Sequence, residues 1–333
     1  MCSKNQQVSI VESGSAFQMN RVFFLQNGYN NKEIQDYFSA LQYFRDNFHP
    51  RELQAPEPSA YYLRATDGVQ VYIQEFIPKN PKLILICQHG NSCQADLYYP
   101  LADHLYSKDI GVIAIDNRGH GRTGPNRGDL NKPDLMNPIY DYVIKKYARI
   151  PVHFLGESLG TSMIAGYFAS GSLYAQKLGS IIFLVPPYKL RVQYLFNPLL
   201  WPLRIILKYG QIISLGKAFF PFKPDFRPTY YRGFHKIDQK DIVRSPKSTA
   251  GHFISLINLI SKFPQQCKSI NKPLLAMIGT NDQMLDPQGV KDLVYSLRHI
   301  KRKLVVFKGS DHSLLFDKNS QKSYQIITNW LLK

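Results

Sequence analysis

Residues 152–168 read VHFLGESLGTSMIAGYF: an apolar, strand-like run stops at Gly156-Glu157-Ser158-Leu159-Gly160 and gives way to small, helix-compatible residues. The pattern is strand, sharp turn, helix. Glycines two before and two after a serine are what a nucleophile elbow needs, because the tight turn strains the backbone and leaves no room for larger side chains. Such a turn aims the amides of the following helix at the reaction centre, where they favour developing negative charge. Taken alone, the same five residues also fit an ordinary glycine-bounded helix start, so the surroundings must decide.

Those surroundings alternate short apolar runs with helix-length segments. Strands are predicted at 83–87, 112–115, 152–155, 181–185, 274–278 and 304–307. Continuous apolar strands separated by helices imply a parallel sheet covered on both faces, an α/β architecture. Tyr61–Arg64 and Val69–Phe76 flank the turn-forming Thr66-Asp67-Gly68 and predict an antiparallel hairpin at the start of the sheet. Before it, residues 1–30 are polar with little periodicity, whereas Lys32–Phe48 has helical spacing ended by His49-Pro50. The stretch between the strands at 181–185 and 274–278 is too long for a simple crossover and reads as an inserted cap over the carboxyl ends of the strands. The expected organisation is an N-terminal extension with a packing helix (1–58), an α/β core (59–185 and 251–333) and a cap insertion (186–250).

A serine hydroxyl is a weak nucleophile at neutral pH and needs a histidine base oriented by a carboxylate. Both should follow later strands. LLAMIGTNDQMLDP places Asp282 just past one strand end and Asp286 four positions on; LVVFKGSDHSLLF places His312 just past the last strand. Asp282 is favoured over Asp286 by its distance from the strand end. The order Ser158, Asp282, His312 is the one expected for a hydrolase built on such a sheet. Oxyanion donors are expected from the backbone N–H of Asn91, where Gly90 permits close approach, and of Leu159, directly after the serine. His89 reads as a loop buttress that transfers no proton.

Together, His89-Gly90, Asp116-x-Arg118-Gly119-His120-Gly121, Gly156-x-Ser158-x-Gly160, Asp282 and His312 resemble the α/β-hydrolase superfamily, in particular its serine aminopeptidase, monoacylglycerol lipase and lysophospholipase group. The resemblance covers about residues 60–333. It implies Ser158 as nucleophile, Asp282 as acid, His312 as base, and the Asn91 and Leu159 amides as oxyanion hole. It also implies a structural loop at 115–128 in which Arg118 forms ion pairs. The chain departs from the group in carrying Glu157 where histidine is usual and Thr123 where serine is common, and its cap matches no subgroup.

Composition narrows the partners. The chain of 333 residues is 44% hydrophobic and carries a formal charge of +17, which attracts anionic surfaces or substrates without specifying which. Between Pro187 and Ala250 twelve Lys and Arg stand against three Asp, interleaved with aromatic and aliphatic residues. That mixture is poor in the carboxylates that hold an α-ammonium group. It suits an acyl chain with an anionic head or an acidic membrane surface, and equally a solvated polar face. The expectation is a serine hydrolase of lipid esters (monoacylglycerol or lysophospholipid), with an acyl-CoA thioesterase or serine aminopeptidase as alternatives and a non-catalytic binding protein below them. No cofactor or metal is expected, nucleic acid is an unlikely partner, and the four cysteines show neither metal spacing nor a disulfide framework. Without an apolar N-terminal leader or spanning segment, a cytoplasmic location with peripheral membrane contact is expected, and signal-independent export stays open.

Overall fold

A computed structural model describes residues 8–124, 127–189, 219–220, 240–244 and 248–333. The strands are β1 (Ser9–Ser15), β2 (Ser59–Arg64), β3 (Gln70–Phe76), β4 (Leu83–Gln88), β5 (Ile110–Ile115), β6 (Val152–Glu157), β7 (Ile181–Leu184), the short β8 (Phe219–Phe220) and β9 (Ser248–Thr249), β10 (Leu274–Gly279) and β11 (Arg302–Phe307). The helices are α1 (Ala16–Gln26), α2 (Asn31–Phe48), α3 (Tyr99–Tyr106), α4 (Asn137–Lys146), α5 (Leu159–Ala169), α6 (Ala250–Cys267), α7 (Pro287–Ser296) and α8 (Ser320–Leu331). Nine strands form one sheet in the order β1-β2-β3-β5-β4-β6-β7-β10-β11. Pairing is antiparallel from β1 to β5 and parallel from there to β11. All six apolar runs of the sequence are strands of this sheet.

The side chains of each central strand divide by the two-residue period of a pleated strand. Leu83, Leu85 and Cys87 of β4 join the core under α1, α2, α3 and α8, while Ile84 and Ile86 join the core under α4 to α7. Both faces of the sheet are therefore covered. Each fully buried Leu or Ile contributes about 1.5–3 kcal/mol. Because the strands from β5 to β11 run parallel, the loops leaving their carboxyl ends gather at one edge, which is where the candidate site lies.

The polar N-terminal stretch is more structured than its lack of periodicity suggests. β1 pairs antiparallel with β2 from Ser9↔Arg64 to Ser15↔Ser59 and is exposed over most of its length. Edge pairing through the backbone demands no apolar alternation, so the sequence carries no signal for it. α1 starts on Ser15, whose side chain caps it, and α2 opens with a capping box of Asn30 and Glu33. Ile34, Tyr37, Leu41, Phe44 and Phe48 of α2 are buried at helical spacing.

The predicted cap falls largely on residues 190–218 and 221–239, which lie outside the described residues. Where the chain returns, residues 240–244 rest on the N-terminal elements. Tyr29 Oη donates to the carbonyl of Ile242 at 2.9 Å, Lys240 pairs with Asp36 at 3.0 Å, and Gln94 Nε2 donates to Asp241 at 3.2 Å.

A buried charge cluster ties the same region together. Arg122 bonds Asp96, donates to Gln94 Oε1 at 3.0 Å, approaches Asp116 at 3.5 Å and lies 4.6 Å from the centre of the Tyr72 ring. Tyr37 of α2 donates to Asp96. Arg118 forks onto Asp67 at 2.6 and 3.2 Å and donates to the Asn131 carbonyl at 2.7 Å, fixing its loop against the β2–β3 turn. Among the described residues no helix is long and apolar enough to cross a membrane.

Candidate active site

β6 runs fully buried to Glu157 and breaks at Ser158, whose φ of 49° and ψ of −115° mark a backbone held out of the common regions. The Ser158 N–H donates to the Leu184 carbonyl at 2.9 Å, and its own carbonyl accepts from the N–H and hydroxyl of Thr161 at 3.0 and 2.7 Å. The flanking glycines are required sterically. A Cβ on Gly160 would fall 2.0 Å from the Gln88 carbonyl oxygen, and one on Gly156 would fall 2.8 Å from the Gly160 backbone. No side chain fits either position without displacing the backbone, so the turn and the start of α5 are locked against the end of β4.

The turn after β4 lies against that serine: a Cβ placed on Gly90 would sit 3.3 Å from Ser158 Cβ. The N–H of Asn91 finds no acceptor among the described residues. Leu159 is the first residue of α5, and its N–H precedes any intrahelical acceptor. The Asn91 side chain reaches His120 Nε2 at 3.3 Å. His89 is a buttress. Its Nδ1 donates to the Gly90 carbonyl at 2.7 Å and its Nε2 accepts from the Asn117 N–H at 2.9 Å. Burial pushes it down to about 4, partly opposed by the Gly90 bond, so the ring is neutral and ties two loops.

Asp282 and His312, thirty positions apart, meet because the loops after β10 and β11 are laced together. The Asn281 N–H donates to the Ser310 carbonyl at 2.9 Å and the Gly309 N–H to Thr280 Oγ1 at 2.8 Å. Gly279 lets the loops touch, since a Cβ there would fall 2.2 Å from the Ser310 carbonyl oxygen. His312 Nδ1 bonds Asp282 Oδ2 at 2.8 Å, while Asp282 Oδ1 accepts from the N–H of Met284 and Leu285 at 2.8 and 2.9 Å. Burial would raise the Asp282 carboxyl, but the His312 charge, its hydrogen bond and these amides outweigh it and hold it below the ordinary carboxylate value. Burial would lower His312, but Asp282, Glu157 and Asp311 outweigh that and raise it. Asp286, the other acid suggested by the sequence, instead caps α7 by accepting from the Gln288 N–H at 3.0 Å. Among the described residues Ser158 and His312 share no hydrogen bond; such bonds often tighten only when substrate is present.

Reasoning from sequence missed two features: Glu157 as a buried carboxyl that acts on His312, and Asp241 in the chain's return. A carboxyl at the buried end of a mostly apolar strand, directly before the serine, is the one signal that marks Glu157.

Residues 79–319 match the serine aminopeptidase (S33) family. The chain is 23% identical over 287 residues to a monoacylglycerol lipase of Mycolicibacterium smegmatis, covering 82% of this chain and 97% of that one. It is also 23% identical over 266 residues to a monoglyceride lipase of Homo sapiens, covering 76% and 83% respectively. Among solved structures, a soluble variant of monoglyceride lipase from Saccharomyces cerevisiae, in complex with a substrate analogue, shares the fold with a TM-score of 0.71 and 20% identity, covering 85% of this chain and 97% of that one. The chain belongs to the serine aminopeptidase S33 family of the α/β-hydrolase superfamily.

Proposed function

We propose that this α/β-hydrolase cleaves carboxylic esters of lipids through an acyl-enzyme on Ser158. The observation that carries the reading is the Asp282–His312 hydrogen bond of 2.8 Å at the edge where β6 presents a strained serine. Ser158 Oγ attacks the ester carbonyl as His312 Nε2 takes its proton, and Asp282 keeps the other ring nitrogen protonated and the ring oriented. The N–H groups of Asn91 and Leu159 receive the oxyanion. Collapse of the tetrahedral species expels the alcohol, protonated by His312; water, deprotonated by the same ring, then releases the acid.

Monoacylglycerol-like esters are the favoured substrates, supported by the relatives' activity and by the aromatic, basic stretch 187–250. The twelve basic residues of that stretch also favour a second reading, an acyl-CoA thioesterase whose substrate phosphates they would meet. Its three acids make an α-ammonium substrate the poorest fit. The same basic stretch supports peripheral contact with acidic lipid, tested by adsorption to vesicles with and without phosphatidylserine.

Labelling by a fluorophosphonate probe, with turnover of monoacylglycerols and acyl-CoAs of increasing chain length, tests the proposal. Wild type labels and hydrolyses; Ser158→Ala does neither, with kcat lower by about 10⁴-fold or more. Full esterase activity in Ser158→Ala would overturn it.

A further inference from the structure

Asn91 supplies one of the two backbone donors in the reading above, yet the turn that carries it is weakly closed. The Cys93 N–H donates back to the Gly90 carbonyl over a long 3.4 Å, and Ser92 sits at a φ of 57°, in the left-handed region that favours glycine. Two histidines steady this turn. The Gly90 carbonyl and the Asn91 N–H belong to one planar trans peptide and point in opposite directions, so the His89 bond to that carbonyl at 2.7 Å restrains the peptide from one side. The Asn91 side chain is held by His120, at 3.3 Å from Nε2, and among the described residues this is its one hydrogen bond.

His120 is 4% exposed, and its neighbours fix where its proton sits. Nδ1 lies 2.9 Å from the Arg118 carbonyl, which only accepts, so that nitrogen carries the proton. Burial, with His89 beside it, pushes the ring down to about 3 against the Arg118 bond; it is neutral, and Nε2 is an acceptor. The Asn91 amide therefore meets Nε2 with its NH2 group, since half a turn of an asparagine amide exchanges its oxygen and nitrogen. The rings of His89 and His252, each centred 5.5 Å from the centre of His120, pack against it and restrict its rotation.

We propose that His120 is a positioning residue for the oxyanion hole: by accepting a hydrogen bond from the Asn91 side chain at Nε2, it holds the turn after β4 so that the Asn91 N–H faces the developing oxyanion. The proposal rests on the reading of Ser158 as nucleophile and Asn91 as donor. His120 touches no reacting atom and exchanges no proton. Because acylation and deacylation both pass through an oxyanion, a misaimed donor slows both steps and lowers kcat while leaving KM nearly unchanged.

Two substitutions separate the Asn91 bond from general support of the loop. His120→Asn places its amide near the position of Nδ1, keeping a donor for the Arg118 carbonyl but losing the acceptor for Asn91. His120→Gln reaches the position of Nε2 with an oxygen, keeping the acceptor but losing the Arg118 bond. On a chromogenic short-chain ester, His120→Asn should lose about 10-fold in kcat with KM within about two-fold, and His120→Gln should stay within about three-fold of wild type. Asn91→Ala, which keeps the backbone N–H, should match His120→Asn, and the double variant should be no slower than either single one. If His120→Asn does not fold by circular dichroism, His120→Phe, which also lacks the acceptor, takes its place in the cycle. Losses that multiply in the double variant, or a His120→Gln protein as slow as His120→Asn, would overturn the inference. Fluorophosphonate labelling tells the two levels apart: a wild type that fails to label overturns the nucleophile reading and the inference together, whereas normal labelling with multiplying losses overturns the inference alone.

Discussion

The turn at His89 and Gly90 touches two buried charge clusters, each with carboxylates around a different cation. On one side Gly90 abuts Ser158, beside Glu157, His312 and Asp282. On the other, His89 Nε2 lies 3.9 Å from Asp116, which with Asp96, Tyr37 and Gln94 surrounds Arg122. The second cluster is built on a permanent cation. Asp116 additionally takes the N–H groups of Ala95 and Arg122, each at 2.7 Å; with the Arg122 charge these oppose, without cancelling, the burial that raises its carboxyl to about 6. The first cluster is built on an imidazole, whose charge comes and goes near neutral pH. A carboxylate facing a guanidinium holds structure; one facing an imidazole can answer to a proton.

Substitutions that exchange these fates would break the comparison. The largest effect should come from Asp282→Asn, which keeps an acceptor for the Met284 and Leu285 amides but turns the imidazole to the wrong tautomer. Its kcat on a chromogenic ester should fall by about 10⁴-fold while its melting temperature moves little. Next is Arg122→Met, which leaves buried carboxylates without their cation. Chemical denaturation should show a loss of about 3–5 kcal/mol, while specific activity per folded molecule stays within a few-fold. A stable but inactive Arg122→Met protein would mean that the second cluster also serves the chemistry. The smallest effect is expected for Tyr37→Phe, which removes one donor to Asp96 and should cost about 1–3 kcal/mol by the same denaturation assay. Any change in its pH–rate profile would blur the division between the clusters.

What the sequence makes legible follows the range of the forces involved. The parallel strands declare themselves as unbroken apolar runs, and the elbow by two glycines whose missing side chains make room for Gln88 and for each other. Asp282 and His312 are findable because both loops begin at strand ends that share one edge of the sheet. β1 is not, because an exposed edge strand is held by backbone pairing rather than by side-chain pattern. Nor is the Arg122 cluster, whose members come from α2, the turn after β4, the loop after β5 and the chain's return at Asp241. Glu157 is visible as a letter beside the serine, but that no hydrogen bond among the described residues holds its carboxyl depends on where distant side chains fall.

The return of the chain at Lys240–Arg244 is gripped by Tyr29 and Asp36, both of which precede the family-matched span of 79–319. That segment is thus moored from two sides, by Gln94 and Arg127 within the matched span and by residues of the chain that precede it. Changes confined to the first fifty residues would loosen one side of that tether and leave the bonds from Gln94 and Arg127 in place.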